Sequence, residues 1–131
     1  RSTLFPYTTL FRSLADQQRR FLLARALVND PGTLLFDEPT SGLDLKASFC
    51  YLDQLKKLMQ SRKTLLLVTH HVHEIPPGIG RVIMLRNGRV FADGSSGETL
   101  TSEKLSLLFD YPLEVVSLGG HFQVLPAEKA L

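Results

Sequence analysis

The stretch Thr33-Leu34-Leu35-Phe36-Asp37-Glu38-Pro39-Thr40-Ser41-Gly42-Leu43-Asp44 decides the fold. Its opening, Thr33 to Phe36, is a short continuous apolar run, which predicts a strand buried on both faces of a parallel sheet. Asp37 and Glu38 then leave the strand at its carboxyl end, where open α/β sheets hold their ligands. Two adjacent carboxylates there suit a phosphate-bound Mg²⁺. The metal prefers oxygen donors and keeps waters, and a neighbouring acid can polarise a water that attacks a phosphate. Acid pairs at strand ends also occur with no such role, so this stretch needs company to carry a function.

The chain on either side supplies it. Asp44 stands where an N-cap is needed, and Leu45 to Gln60 follows with Phe49, Leu52, Leu55 and Met59 on one helical stripe. Thr64 to Val68 predicts a second buried strand, so strand, helix and strand make a right-handed βαβ unit. Upstream, Gln17 to Asn29 has helical spacing and is stopped by Asp30-Pro31-Gly32. Downstream, His73 to Ile75 is a short segment ended by Pro76-Pro77-Gly78. Val82 to Leu85 and Val90 to Ala92 flank Asn87-Gly88, a type I′ hairpin signal. Leu100 to Asp110 predicts a helix with Thr101, Ser102 and Glu103 at its start. Beyond Tyr111 the pattern fits either a small hairpin or an irregular tail.

The 131 residues suit one compact core, and 44% apolar with 21% charged residues is ordinary for a globular chain. A net charge of +2 is too small to argue for a nucleic-acid face. Cys50 is the single cysteine and cannot form an internal disulfide, which fits a reducing compartment and a buried inert thiol. No apolar run approaches the ~20 residues of a membrane helix. Thr3 to Ser13 resembles the conceptual translation of a DNA sequencing adapter. Residues 1–13 are accordingly expected to be foreign and disordered, and the chain to be truncated at its beginning.

Phe36-Asp37-Glu38-Pro39-Thr40-Ser41-Gly42-Leu43-Asp44 resembles the Walker B motif and D-loop of ABC-type ATPases almost letter for letter. Leu67-Val68-Thr69-His70 resembles that family's switch strand and histidine, and Ala24-Arg25-Ala26-Leu27 the helix after its signature motif. The resemblance covers about Gln17 to Gly94 and, more loosely, runs to Pro112. It implies a partial P-loop NTPase sheet with helices, in the α/β class, over residues 14–98. A β-hairpin and a small α/β tail follow, the tail occupying residues 99–131. It further implies ATP and Mg²⁺ as cofactors, with Asp37 holding the metal through water and Glu38 as general base. His70 would contact the γ-phosphate. Ser41, Gly42, Leu43 and Asp44 would cross to a second ATPase domain, and Glu74 would give local support. A lone histidine at a strand end is more often a polar cap, and His71 and His73 receive no role.

The family's signature should fall on Ser13-Leu14-Ala15-Asp16-Gln17, where only Gln17 matches. Leu14 removes a hydroxyl, and Asp16 brings negative charge towards a phosphate. Either the signature is degenerate or the adapter-like segment has overwritten it. Nothing in the sequence matches G-x-x-x-x-G-K-[ST], so no lysine and amide nest is available for the β- and γ-phosphates. The resemblance therefore implies an ATP hydrolase as the parent and an inactive piece. The first reading is the nucleotide-binding subunit of an ABC transporter, with a permease partner, peripheral on the cytoplasmic face of the membrane. Val82 to Gly94 resembles the hairpin of such subunits, and Leu100 to Pro112 loosely resembles the tail of metal-chelate importers. The other readings are a soluble ABC ATPase of the ribosome-associated or nucleic-acid repair type, and a non-catalytic relative. The intact Asp37-Glu38 pair speaks against the last.

Overall fold

A computed structural model describes residues 6–127, with side chains from residue 17 onward. The chain divides into two compact units, Arg1–His70 and His71–Leu131.

The first unit contains helix α1 (Pro6–Leu27), strand β1 (Thr33–Asp37), helix α2 (Leu45–Met59) and strand β2 (Thr64–Val68). Proline is tolerated at a first helical position because its missing N–H would have had no partner there. Helix α1 thus begins well before Gln17, taking in residues 6–13 of the adapter-like segment. Arg25 lies in its last turn, where a cation complements the helix dipole.

Strands β1 and β2 pair in parallel with Thr33 opposite Thr64 and Asp37 opposite Val68, as the strand–helix–strand pattern predicts. Helix α2 starts where the sequence places it. The Asp44 side chain accepts a hydrogen bond from the Ala47 amide at 2.8 Å. Tyr51, Leu52 and Leu55 of α2 are buried with Leu34, Phe36 and Leu23. Phe36 and Tyr51 meet edge to face with centroids 6.4 Å apart, a contact worth about 1 kcal/mol beyond area burial. Lys63 ties the starts of the two strands together, reaching Asp30 Oδ1 at 2.5 Å and the Pro31 carbonyl at 2.9 Å.

One expectation fails here. Both strands were read as buried on two faces, yet only one face is covered among the described residues. Leu34 and Phe36 are 5% and 7% exposed, whereas Leu35 between them is 65% exposed and its partner Leu66 is 55% exposed. Alternate side chains point to opposite faces of a strand. The helices cover the face of Leu34, Phe36, Leu65 and Leu67 and leave Leu35, Leu66 and Val68 outside. The helical stripe needs a smaller correction: Phe49 is exposed, and Tyr51 takes its place in the core.

The second unit opens with a 3-10 turn, Val72–Glu74. Strands β3 (Val82–Arg86) and β4 (Arg89–Gly94) form an antiparallel hairpin with a bulge between Met84 and Leu85. Asn87 and Gly88 both have positive φ, 52° and 73°, as the predicted type I′ turn requires. Next come α3 (Ser96–Thr99) and α4 (Ser102–Phe109). The helix expected over Leu100 to Asp110 is α4, which begins two residues later because Thr101 caps it by accepting from the Lys104 amide at 3.3 Å; the one-turn α3 before it was not expected.

The open choice at the C-terminus resolves as a hairpin, β5 (Leu113–Leu118) with β6 (His121–Pro126), joined at Gly119-Gly120. Ser102 and Ser106 of α4 accept the backbone amides of Val115 and Leu113, each at 2.9 Å, which fixes the helix on the hairpin. Met84, Leu100 and Leu105 form the buried centre of this unit.

Candidate functional site

Parallel pairing brings the carboxyl ends of β1 and β2 to one edge of the first unit, and the candidate residues lie along that edge. Asp37 is the last residue of β1, and its register partner Val68 precedes His70 by two residues. The Glu38 amide donates to the Val68 carbonyl at 2.8 Å, carrying the pairing one step beyond the strand. Glu38 Oε1 accepts the His70 backbone amide at 3.0 Å and lies 2.5 Å from His70 Nδ1. The sequence-predicted acid and histidine, 32 positions apart, are therefore in direct contact. The Glu38 side chain is 27% exposed and the His70 side chain 67%, so the pair opens to solvent on the imidazole side.

Asp37 is exposed at the same edge. An exposed carboxylate leaves room for the water shell that a hard divalent cation retains, so this donor fits water-mediated Mg²⁺ binding.

Glu38 has φ 45°, the left-handed region. This reverses the chain into two successive turns, with Ser41 N donating to Glu38 O at 3.1 Å and Leu43 N to Thr40 O at 3.0 Å. Pro39 and Thr40 are buried beneath them, and Gly42 supplies a second positive φ of 78°. Ser41 and Gly42 are left exposed at the crest. Asp44 closes the loop as the cap of α2, so its Oδ1 is committed to the Ala47 amide.

A partner that the sequence reading missed is Arg19, whose guanidinium donates to the Ser41 carbonyl at 3.1 Å. Arg19 sits on α1 and reaches the loop only through tertiary approach, so no local pattern announces it. Burial pushes the nearby Tyr51 phenol up, and the Arg19 charge partly offsets that shift. Gln17 is exposed on α1. The rest of the signature position, Ser13 to Asp16, lies outside the described side chains. Cys50 is a free thiol and is half-buried rather than fully enclosed. In the second unit, the His71 and His73 rings stand 5.3 Å apart and tilted by 38°, and Glu74 is buried.

A parallel strand–helix–strand with an acid pair and a histidine at its carboxyl edge is an α/β arrangement, and its likeness to solved structures places it in the P-loop NTPase fold. The chain is similar to one described as a metal-chelate type ABC transporter in an inward-facing conformation, with TM-score 0.71 and 29% identity over 87% of this chain and 47% of that one. It is also similar to a dimeric ATP-binding cassette in a post-hydrolysis state bound to ADP and Pi, with TM-score 0.54 and 37% identity over 61% of this chain and 34% of that one.

Among curated proteins, it is 39% identical over 102 residues to the uncharacterised ABC transporter ATP-binding protein YlmA of Bacillus subtilis, covering 76% of this chain and 39% of that protein. It is 42% identical over 86 residues to the Nod factor export ATP-binding protein I of Paraburkholderia xenovorans, covering 66% of this chain and 28% of that protein. No family model matches. The chain is similar to ABC transporter ATP-binding proteins, and it spans about two fifths or less of the length of these curated relatives.

Proposed function

We propose that this chain supplies the hydrolysis half of the ATP site in an ABC transporter's nucleotide-binding subunit. The observation that carries the reading is the contact of Glu38 with both the amide and the ring of His70. Glu38 is the general base that takes a proton from the attacking water. His70, hydrogen-bonded to that base and open to solvent, reaches the γ-phosphate and holds Glu38 in place. Asp37 would hold Mg²⁺ through water, and the metal would supply charge neutralisation at the phosphates. Ser41, Gly42 and Asp44 form the crest that meets a second ATPase domain, while Gln17 is the matching end of a signature motif. Residues 1–13 are foreign sequence, and residues 14–98 are ATPase domain with a tail from residue 99.

The curated relatives named above carry the names of an ABC transporter ATP-binding protein and an export ATP-binding protein, which favours this reading over a soluble ABC ATPase. A permease partner and a place on the cytoplasmic face of the membrane follow from it. Among the described residues no helix is long and apolar enough to cross a membrane.

On this reading the 131-residue chain by itself neither binds ATP tightly nor hydrolyses it, because its sequence holds no G-x-x-x-x-G-K-[ST] loop to cradle the β- and γ-phosphates. Mg²⁺-dependent ATPase activity of the purified chain that disappears in Glu38→Gln would overturn this. In a protein that joins this sequence to a phosphate-binding loop, Glu38→Gln is expected to keep ATP binding and lower turnover by about 10²-fold or more. Turnover of that variant within threefold of the parent would remove Glu38 from the chemistry.

A further inference from the structure

The tip of the β3–β4 hairpin carries a feature that the ATP-site reading does not use. Arg86 and Arg89 are the last register pair before the Asn87-Gly88 turn. Directly paired residues stand on the same face of a hairpin, and like charges so placed repel. No ion-pair partner of either guanidinium is found among the described residues.

The other end of the same hairpin is different. There, Arg81 makes a two-pronged pair with Asp93, Nε to Oδ1 at 2.8 Å and Nη2 to Oδ2 at 2.6 Å. One end of the hairpin is neutralised internally, and the tip keeps two opposed positive charges.

The tip also carries a shallow, open depression. Arg86, Asn87, Arg89, Val90 and Phe91 line an open hollow of about 520 Å³ that contains none of Asp37, Glu38 or His70. Phe91 packs against the buried centre of the second unit and Arg86 is half-buried, so the wall of the hollow is anchored.

We propose that this hairpin tip is a phosphate-binding site in which Arg86 and Arg89 clamp one phosphate group from two sides. The guanidinium fork matches a phosphate's oxygens two at a time, and two forks can engage a single tetrahedral anion. A phosphomonoester carries nearly two negative charges at neutral pH and turns the Arg86–Arg89 repulsion into two attractions. A monocarboxylate brings a single negative charge to the two cations. The Asn87 amide offers a further donor, and Phe91 with the 62% exposed Val90 offers an apolar wall for the group that the phosphate is attached to. The ligand class is therefore a phosphomonoester, either free in solution or displayed as a lipid headgroup.

The test uses the full 131-residue chain. Inorganic phosphate, phenyl phosphate and acetate are titrated separately, with NMR signals of the arginine Nε–H groups and the Asn87 side chain followed. Phosphatidylcholine vesicles with and without phosphatidic acid form a further arm. Saturable shifts with phosphate or phenyl phosphate and none with acetate are expected. Arg86→Gln and Arg89→Gln should each weaken binding by about tenfold or more. Arg86→Lys with Arg89→Lys keeps the charge but loses the fork, and should fall between the two.

Binding to phosphatidic acid vesicles alone, lost in the Gln variants, would assign the lipid source and support the site. No saturable response in any arm would overturn the proposal, as would an equal response to acetate, or a folded Arg86→Gln/Arg89→Gln chain that binds like the parent.

Discussion

Replacing Asp44 with alanine separates a structural duty of the loop from its proposed functional one. In the structure, Asp44 Oδ1 accepts the Ala47 amide at 2.8 Å, and the residue is extended at φ −73°, ψ 171°, as an N-cap should be. Losing such a cap costs about 1 kcal/mol. Removing a negative charge from the helix start adds about 0.5 kcal/mol at an exposed position. Asp44→Ala should therefore destabilise α2 by about 1.5 kcal/mol. Asparagine keeps the acceptor and loses only the charge, so Asp44→Asn should lose no more than about 0.5 kcal/mol.

Amide hydrogen exchange reads this locally. The Ala47 amide is expected to exchange about tenfold faster in Asp44→Ala and about twofold faster in Asp44→Asn. A urea titration followed by far-UV circular dichroism should show the same order. Exchange at Ala47 unchanged in Asp44→Ala, or equally fast in both variants, would refute the capping argument.

Leu55 and Leu105 are each 1% exposed at the centres of different units, so alanine at either should cost about 2–5 kcal/mol. Exchange protection should fall around α2 and β1 for Leu55→Ala and around α4 and β3 for Leu105→Ala; uniform loss across the chain in both variants would contradict two separate cores. Hydrogen bonds from the Ser95 hydroxyl and amide hold the Glu98 carboxyl below its usual range. A depressed folded-state pKa gives stability that is present above the unfolded value and lost as pH falls through the folded one. The stability difference between parent and Glu98→Gln should thus shrink on acidification below about pH 4, and a difference that stays constant through that range in urea titrations would count against the capping box.

Features set by local chemistry were legible in the sequence. Asp44 announces α2 because an N-cap needs a short acceptor side chain, and Asn87-Gly88 announces the hairpin because both turn residues need positive φ. The contact between Glu38 and His70 was legible only through the likeness of their flanking motifs to a family, since 32 residues of chain separate them. What stayed hidden depends on tertiary surroundings. An unbroken apolar run such as Thr33 to Phe36 has no period, so it cannot tell one covered face from two, and Leu35 was placed inside when it is out. Arg19 reads as one basic residue among several until α1 is laid beside the Ser41 carbonyl. The short α3 stayed hidden because Ser96 to Thr99 make about one turn, too few residues to show a helical period, and only the Ser95–Glu98 capping box marks its start.

The backbone of Glu38 sharpens the functional reading. Four described residues other than glycine have positive φ: Asp30, Glu38, Asn87 and Asp110. Asp and Asn tolerate this region because their short side chains can bond to nearby backbone, whereas Glu gains no such relief. Holding Glu38 there costs on the order of 1 kcal/mol. The conformation persists because its amide is tied to Val68 O and its carboxylate to His70, while buried Pro39 and Thr40 fix the turn that follows. An extended Glu38 would continue β1 and carry its side chain away from the β2 end. The left-handed turn instead folds the carboxylate onto the histidine. Strain kept at one residue, and resolved by the single contact that the proposed chemistry requires, is the pattern expected where geometry is maintained for function rather than for stability.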